Sequence, residues 1–217
     1  VITLLRCAVG PVSSVLFTSF VAYGMSRKNL RWRKFFNVWA LIPMFFGGGL
    51  IPYYLLCKML GLLNTFAIYI IPGMYSVYNM ILIRSFFKST PEELHEAAVL
   101  DGAGEFRLYF QLMIPLCMPV LITIFMWSFI GHWNDYLTSM LYCPQRPDLD
   151  SLQYVLRQII AAADAGSFDS VLSVSGKATS ETISYAAMTF GALPLIVIFP
   201  FVQKYLTQGV YVGSLKG

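Results

Sequence analysis

Charged residues are scarce in this sequence. Asp, Glu, Lys and Arg make up 12% of its 217 residues, whereas an ordinary soluble domain carries about 25%. Hydrophobic residues account for 57%. This imbalance excludes an ordinary soluble domain and indicates that lipid surrounds much of the chain.

Metal-binding and catalytic patterns are missing as well. The four cysteines are scattered without a close pair, so they predict neither a metal site nor a disulfide framework. The two histidines form no His-Glu-x-x-His site, because Val99 stands where a second histidine would have to follow His95. Nucleophile-elbow and phosphate-loop patterns do not occur. We therefore predict that the chain is not itself catalytic, holds no metal and binds no cofactor.

Long uncharged runs stand out in place of charge. Each holds about 20 residues or more, enough for a helix to cross a bilayer core of roughly 30 Å. Several contain proline, which transmembrane helices tolerate because neighbouring helices satisfy the freed backbone groups. We predict an all-α integral membrane protein, a bundle of kinked transmembrane helices with five spans. The runs are residues 7–26, 35–57, 59–83, 108–131 and 183–203.

The placement of Lys and Arg predicts the orientation, because short basic loops stay in the cytoplasm. Basic residues follow the first span as RKNLRWRK, residues 27–34, and also follow the third and last spans. An anionic-lipid site is the alternative interpretation of that cluster. Residues 88–114 and the C-terminus are then cytoplasmic, and the loop over residues 138–182 is external. Because the C-terminus is inside, an odd number of spans places Val1 outside. The sequence starts with Val1 rather than Met and shows no signal segment before the first span, so we expect that one more span precedes it.

One charged stretch interrupts the apolar runs: ELHEAAVLDGAGEFRLYFQLMIP, residues 93–115. Thr90, Pro91 and Glu93 match a helix start with a capping box. Gly102 matches a helix stop, because glycine readily adopts the left-handed backbone conformation. We predict a short helix, a glycine turn and a second helix on the cytoplasmic side.

The short helix offers a surface that suits docking. Ala97 and Ala98 would let another backbone approach closely, while Glu93 and Glu96 offer charge that an arginine could meet. An amphipathic helix lying on the membrane surface explains the same residues. From these residues alone, both interpretations stay open.

The stretch EAAVLDGAGEFRLYFQLMIPL resembles the signature of the membrane subunits of ATP-binding-cassette (ABC) importers: Glu-Ala-Ala, then a small residue and glycine, then Ile/Leu-Pro. Further segments are similar to the carbohydrate-type branch, related to the maltose-type permeases, over almost the whole chain. The stretch DAGSFDSVLSVSGKATSE in the external loop looks more like permeases for complex oligosaccharides. These further segments are GLLNT (61–65), IRSFFKSTPEELHEAA (83–98), WNDYL (133–137) and VGSLKG (212–217).

This resemblance implies the type I ABC importer permease fold, with residues 1–217 as a single permease domain truncated at its N-terminus, since the family has six spans. It also implies partners in a bacterial inner membrane: a related but different second permease subunit, two ATPase subunits that hold ATP and Mg, and an external binding protein that delivers sugar. This chain would form half of the translocation pathway.

By resemblance, residues 88–114 form the coupling loop that seats in a cleft of the ATPase subunit and transmits its closure to the spans. Glu96 would pair with an arginine of that subunit, and Gly102 would let the loop turn sharply enough to seat. The C-terminal residues 214–217 could also touch the ATPase pair. The coupling residues implied are Glu93, Glu96, Ala97, Ala98, Asp101 and Gly102.

A second candidate site lies near the outer membrane edge. Trp133, Asn134 and Asp135 follow Pro115 by about 20 residues, roughly 30 Å along a helix. A carboxylate there could line the pathway or meet the binding protein. Alternatively, this is a helix end at which Trp133 and Tyr136 are ordinary interfacial anchors.

The external loop is predicted to contain a helix around residues 151–163 and to contact the binding protein. The alternative is a loop that only connects two spans. A stand-alone secondary transporter or channel is the competing class of function. That class would show inverted repeats or an ionisable pair deep in the spans, and the sequence shows no convincing instance of either.

Overall fold

Helices form the regular structure of the part of the chain that the structure, a computed structural model, describes. That part comprises residues 1–27, 30–165 and 180–214, with the side chains of the last helix described for residues 181–200 and 203. Short 3-10 helices at Phe66–Tyr69, Ile71–Gly73 and Pro147–Leu149 and a π-helix at Tyr109–Met113 join longer elements. The α-helices are α1 Ile2–Ser26, α2 Arg33–Phe45, α3 Leu50–Met59, α4 Val77–Ser89, α5 Glu92–Leu100, α6 Glu105–Leu108, α7 Ile114–Leu116, α8 Met118–Asn134, α9 Leu137–Tyr142, α10 Leu152–Asp164 and α11 Ser180–Ser214.

Helix α1 lies at the centre and packs against both α4 and α8. It buries small and hydroxyl-bearing residues, which allow neighbouring backbones to approach closely. Thr18 Oγ1 donates to the Met74 carbonyl at 3.2 Å, and the hydroxyls of Ser19 and Tyr109 lie 2.7 Å apart. The main apolar core collects around this contact: Ala22, Tyr23, Met25, Met80, Ile83, Phe87, Tyr109, Met113, Cys117, Val120, Leu121 and Ile124.

The membrane spans are broken rather than merely curved. Two helical segments are each long and apolar enough to cross a membrane, namely α1 and Glu181–Pro200 of α11, and the described residues hold five spans if each bent helix pair counts as one. The pairs bend by 114° between α2 and α3, by 46° before α4 and by 81° before α8. The predicted count of five spans and the predicted kinks agree with this architecture.

Consecutive glycines make the sharpest break. Helix α2 ends at Phe45, two residues after Pro43, and α3 begins after Gly47, Gly48 and Gly49. Gly49 has φ +82°, a backbone conformation that side chains with a Cβ rarely adopt. The chain therefore bends by 114° within a few residues, of which Gly47 and Gly48 belong to neither helix.

The start of α5 corrects one sequence prediction. The helix begins at Glu92 with Pro91 at the N-cap position, and no side chain caps it, so the predicted capping box of Thr90 and Glu93 is wrong. Thr90 ends α4 in an extended conformation, φ −69° and ψ 131°. Pro91 is also extended, with ψ 134°, so the helix begins one residue later than a cap at Thr90 would require.

The helix predicted around residues 151–163 is confirmed. Helix α10 begins after Ser151, whose hydroxyl accepts from the Tyr154 amide at 3.3 Å, and it packs against α11. The stretch that resembles permeases for complex oligosaccharides falls largely on residues 166–179, which lie outside the described residues. The C-terminal residues 215–217 lie outside them as well.

The close approach of α1 to α8 gives a first prediction. A Cβ added at Gly10 would overlap the ring of His132, so Gly10→Ala should push the two helices apart, and overpacking of this kind costs about 1–3 kcal/mol. We expect the midpoint of thermal unfolding of the purified protein in detergent to fall.

Gly24→Ala on the same helix is the matched control, because no atom lies within 4 Å of its added Cβ. Its midpoint should stay unchanged or rise slightly, since alanine favours a helix over glycine. Equal midpoints for the two variants would contradict this account of the α1–α8 contact.

Candidate functional site

Helix α5 stands beside the ends of α1 and α4, across an open cleft of about 1090 Å³. Arg27, Arg33 and Lys88 line the cleft from the transmembrane side, and Glu92 and Glu96 line it from α5. Opposite charges therefore face each other across the cleft.

The α5 region exposes apolar side chains among its charges. Leu100 is 87% exposed and Phe106 is 70% exposed, while Glu93 and Glu96 are also exposed. A cluster of exposed apolar side chains with charged neighbours is typical of a protein-binding surface. Of the predicted small residues, Ala97 is exposed and Ala98 is half-buried.

Gly102 closes α5 as the sequence predicts. Its φ is +78°, the Gly102 amide donates to the Val99 carbonyl at 2.9 Å, and the Ala103 amide donates to the Ala98 carbonyl at 2.9 Å. This pattern is the Schellman motif, which requires a left-handed residue directly after the C-cap. The C-cap is Asp101, and Gly102 is the left-handed residue. The local geometry thus turns the chain sharply between α5 and α6.

Glu105, at the start of α6, connects the loop to α1. The Tyr23 hydroxyl donates to its Oε2 at 2.5 Å, and the Arg27 guanidinium donates to its Oε1 at 2.9 Å. Arg27 also lies over the Tyr23 ring, 5.5 Å from its centroid. Both carboxylate oxygens are therefore engaged by one helix of the bundle. Sequence reasoning missed this residue, because an acid in the first turn of a helix already has a local explanation.

His95 lies in the same cleft but carries no charge at neutral pH. Burial and, secondarily, the nearby Arg27 lower its pKa below the ordinary value of 6.5. Its Nε2 is buried and has no hydrogen-bond partner within the described residues. The positive charge of the cleft therefore comes from arginine and lysine side chains.

The three residues predicted near the outer membrane edge do not form one site. Trp133 is buried, and its indole Nε1 donates to the Gly191 carbonyl of α11 at 2.9 Å; its interpretation as an interfacial anchor is therefore wrong. Asn134 is exposed and lies beside α10 and α11. Asp135 turns the other way and forms an ion pair with Arg6 of α1.

Arg6 and Asp135 form the centre of a polar network at this end of the bundle. Arg6 is 2% exposed, donates to the Asp135 carbonyl at 3.1 Å and lies 4.3 Å from the Tyr69 ring centroid. The Ser151 hydroxyl donates to the same carbonyl at 3.0 Å. The network ties α1, α8 and α10 together. The sequence alone does not single out Arg6, because its partner lies 129 residues away in the chain.

Broken spans and a short exposed helix at one end define a membrane transport subunit. A family model described as "Binding-protein-dependent transport system inner membrane component" matches residues 14–211. The chain belongs to this family. Its predicted identification as an importer permease with a transmembrane helical fold is thereby confirmed.

Curated relatives are permeases for sugars. The polygalacturonan/rhamnogalacturonan transport system permease protein YtcP of Bacillus subtilis is 32% identical over 210 residues, 96% of this chain and 73% of the relative. The melibiose/raffinose/stachyose import permease protein MelC of the same organism is 29% identical over 211 residues, 94% of this chain and 70% of the relative. The resemblance to carbohydrate-type permeases predicted from the sequence is confirmed.

A solved structure has the same fold. It is the crystal structure of a bacterial ABC transporter involved in the import of the acidic polysaccharide alginate, one chain of which superposes with a TM-score of 0.86 at 30% identity. The match covers 94% of this chain and 72% of that chain. The predicted type I importer permease fold agrees with this comparison.

The helix stop at Gly102 gives a second prediction. Gly102→Ala places a Cβ on a left-handed residue, which costs roughly 1 kcal/mol, so the last turn of α5 should open more often. We expect faster hydrogen exchange at the amides of residues 101–103, measured by mass spectrometry on the protein in detergent.

Gly104→Ala serves as the control, because Gly104 has φ −72° and its added Cβ meets no atom within 4 Å. Its exchange rates should match those of the unmodified protein. Similar acceleration in both variants would show that the Schellman geometry is not what closes α5.

Proposed function

We propose that this chain is one permease subunit of an ATP-driven oligosaccharide importer, and that the α5 region couples it to a separate ATPase subunit. The observation that carries the coupling role is the surface of α5, where the exposed Glu93 and Glu96 accompany the exposed Leu100; Glu96 and Leu100 also line the open charged cleft. Hydrolysis of ATP, with its Mg, belongs to the partner.

The names of the relatives support an oligosaccharide as substrate. Among them are permeases for polygalacturonan/rhamnogalacturonan, for melibiose/raffinose/stachyose and for maltodextrin. These sugars differ in charge, linkage and length. The support therefore extends to oligosaccharides as a class, delivered by a binding protein as the family description states.

The proposed assembly places this chain beside a second permease subunit, above two ATPase subunits. Residues 88–114 and the C-terminus face the cytoplasm, and residues 138–182 face outward, where α10 is available to the binding protein. The basic residues around Arg27 and Arg33 support this orientation, because such loops remain inside. Glu93, Glu96, Ala97, Ala98, Asp101 and Gly102 form the coupling surface, with Asp101 and Gly102 setting its turn.

Glu105 is the residue through which movement of this surface reaches α1. Since Tyr23 and Arg27 hold both of its carboxylate oxygens, a displacement of α5 and α6 pulls on the end of α1. Helix α1 in turn packs on α4 and α8. A docking event at α5 is thus transmitted to three spans.

Charge reversal at Glu96 tests the coupling role. In a complex rebuilt in lipid from the full-length chain, its partner permease, the ATPase and the binding protein, Glu96→Lys should lower the stimulation of ATP hydrolysis by sugar-loaded binding protein about tenfold. A loss of roughly 1.4 kcal/mol of docking energy suffices for this. Membrane abundance should not change, because the side chain is exposed.

Lys58→Glu is the matched control for Glu96→Lys, as a charge reversal of equal size at an exposed residue of α3 that lies outside residues 88–114 and 138–182. It should leave the stimulation intact. Reduced abundance of Glu96→Lys with normal stimulation per complex would count against the proposed coupling surface.

Removing the contacts of Glu105 tests transmission separately from docking. Glu105→Gln and Tyr23→Phe should each reduce sugar-stimulated hydrolysis by about tenfold, the size expected for a hydrogen bond to a charged group, while copurification with the ATPase stays normal. The double variant should be no worse than either single one, because both remove the same contact.

Two results would refute this account of Glu105. Strictly additive losses in the double variant would show that the two residues act independently. Loss of the ATPase from the purified complex would show that Glu105 acts in docking itself.

A further inference from the structure

We infer that a cavity between α1, α4 and α8 is a sugar-binding site of this chain, which contacts the ring face and the hydroxyl groups of one glycosyl unit. The inference rests on the proposed function and assigns residues to it. The cavity, termed the outer cavity, extends from the Arg6–Asp135 pair toward the middle of the bundle, to Asn79 and Trp127.

The outer cavity has the size of a small-molecule site. Its volume is about 470 Å³, within the range of roughly 300–1,000 Å³ typical of ligand pockets. Elements from four spans meet around it, because Tyr53 of α3 joins residues of α1, α4 and α8, and Pro72, Gly73 and Ser76 of the break before α4 also line it. Irregular backbone at membrane depth is tolerated only where it is buried in protein or lines a water-filled cavity. A break in a span is therefore a place where a cavity for a ligand is expected.

Aromatic rings and uncharged polar groups line the outer cavity together. Trp127 is 47% exposed and Tyr53 is 41% exposed, so their ring faces are accessible. The side chains of Asn79 and Ser128 line the same cavity and have no hydrogen-bond partner in the part of the chain that the structure describes. A pyranose has an apolar C–H face and a rim of hydroxyls, and this lining provides a partner for both.

The charges at the cavity wall cancel. Within the described residues, Arg6 is the only Lys or Arg side chain lining the cavity, and it is paired with Asp135 and stacked on Tyr69. An imidazole such as that of His132 has an ordinary pKa of about 6.5 and is mostly neutral at pH 7. No unpaired positive charge is left to bind a carboxylate, so the cavity favours hydroxyls and ring faces over the acidic groups of a uronate.

The test uses import measurements on the rebuilt complex in lipid vesicles, with binding protein present. Galactotriose, maltotriose, arabinotriose, raffinose and trigalacturonate serve as probes, and the sugar imported fastest by the unmodified complex is carried forward. Trp127→Ala and Asn79→Ala are compared with Ile130→Ala, a control on the same helix that is 38% exposed and does not line the cavity.

We expect Trp127→Ala and Asn79→Ala each to reduce the sugar imported per ATP hydrolysed by about tenfold, while stimulation of ATP hydrolysis by loaded binding protein stays normal. Trp127→Phe, which keeps an aromatic face, should restore most of the import, and Ile130→Ala should have no effect.

Two failures are distinguishable. Normal import by both alanine variants, beside an importing unmodified complex, would overturn the outer cavity as a sugar site and leave the proposed function standing. Failure of the unmodified complex to import any of the five probes would overturn the proposed function, and this inference with it.

Discussion

The antiparallel packing of α1 against α8 is the contact on which the other parts of the bundle depend. It is tied at one end by Arg6 and Asp135, and near the other by the Ser19 and Tyr109 hydroxyls. Between them, Gly10 lets the His132 ring approach the backbone. In an apolar environment such hydrogen bonds and ion pairs persist, because a polar group that loses its partner finds no water to bond to. The other spans then pack around this pair, with α4 on α1 and α11 on α8.

The two ends of this pair serve different purposes. At one end the network around Arg6 is buried and reaches α10 through Ser151, which fixes the geometry of the bundle there. At the other end Glu105 stays largely accessible, although Tyr23 and Arg27 hold it. Helix α1 therefore joins a rigid end to an accessible one.

Local patterns in the sequence predict the spans, the stop at Gly102 and helix α10, because each depends on residues close together in the chain. The contacts that organise the sites could not be predicted in this way. Arg6 and Asp135 are 129 residues apart, and Tyr23 and Glu105 are 82 apart, so each pairing exists only once the helices have packed. The error at Thr90 is a shift of one residue, since Pro91 stays extended and the helix begins at Glu92 instead of at Pro91.

The break between α2 and α3 limits what can surround this chain in a membrane. Gly47, Gly48 and Gly49 are exposed in the isolated chain. The Gly49 carbonyl accepts from the Tyr53 amide of α3 at 3.4 Å, but the peptide groups of Gly47 and Gly48 form no backbone hydrogen bond within the described residues. Hydrocarbon offers such groups no hydrogen bonds, and each unsatisfied group costs several kcal/mol in lipid. Acyl chains therefore cannot cover this part of the perimeter. A protein neighbour or a hydrated space has to lie there, so the solvent of this helical bundle differs from one side to the other.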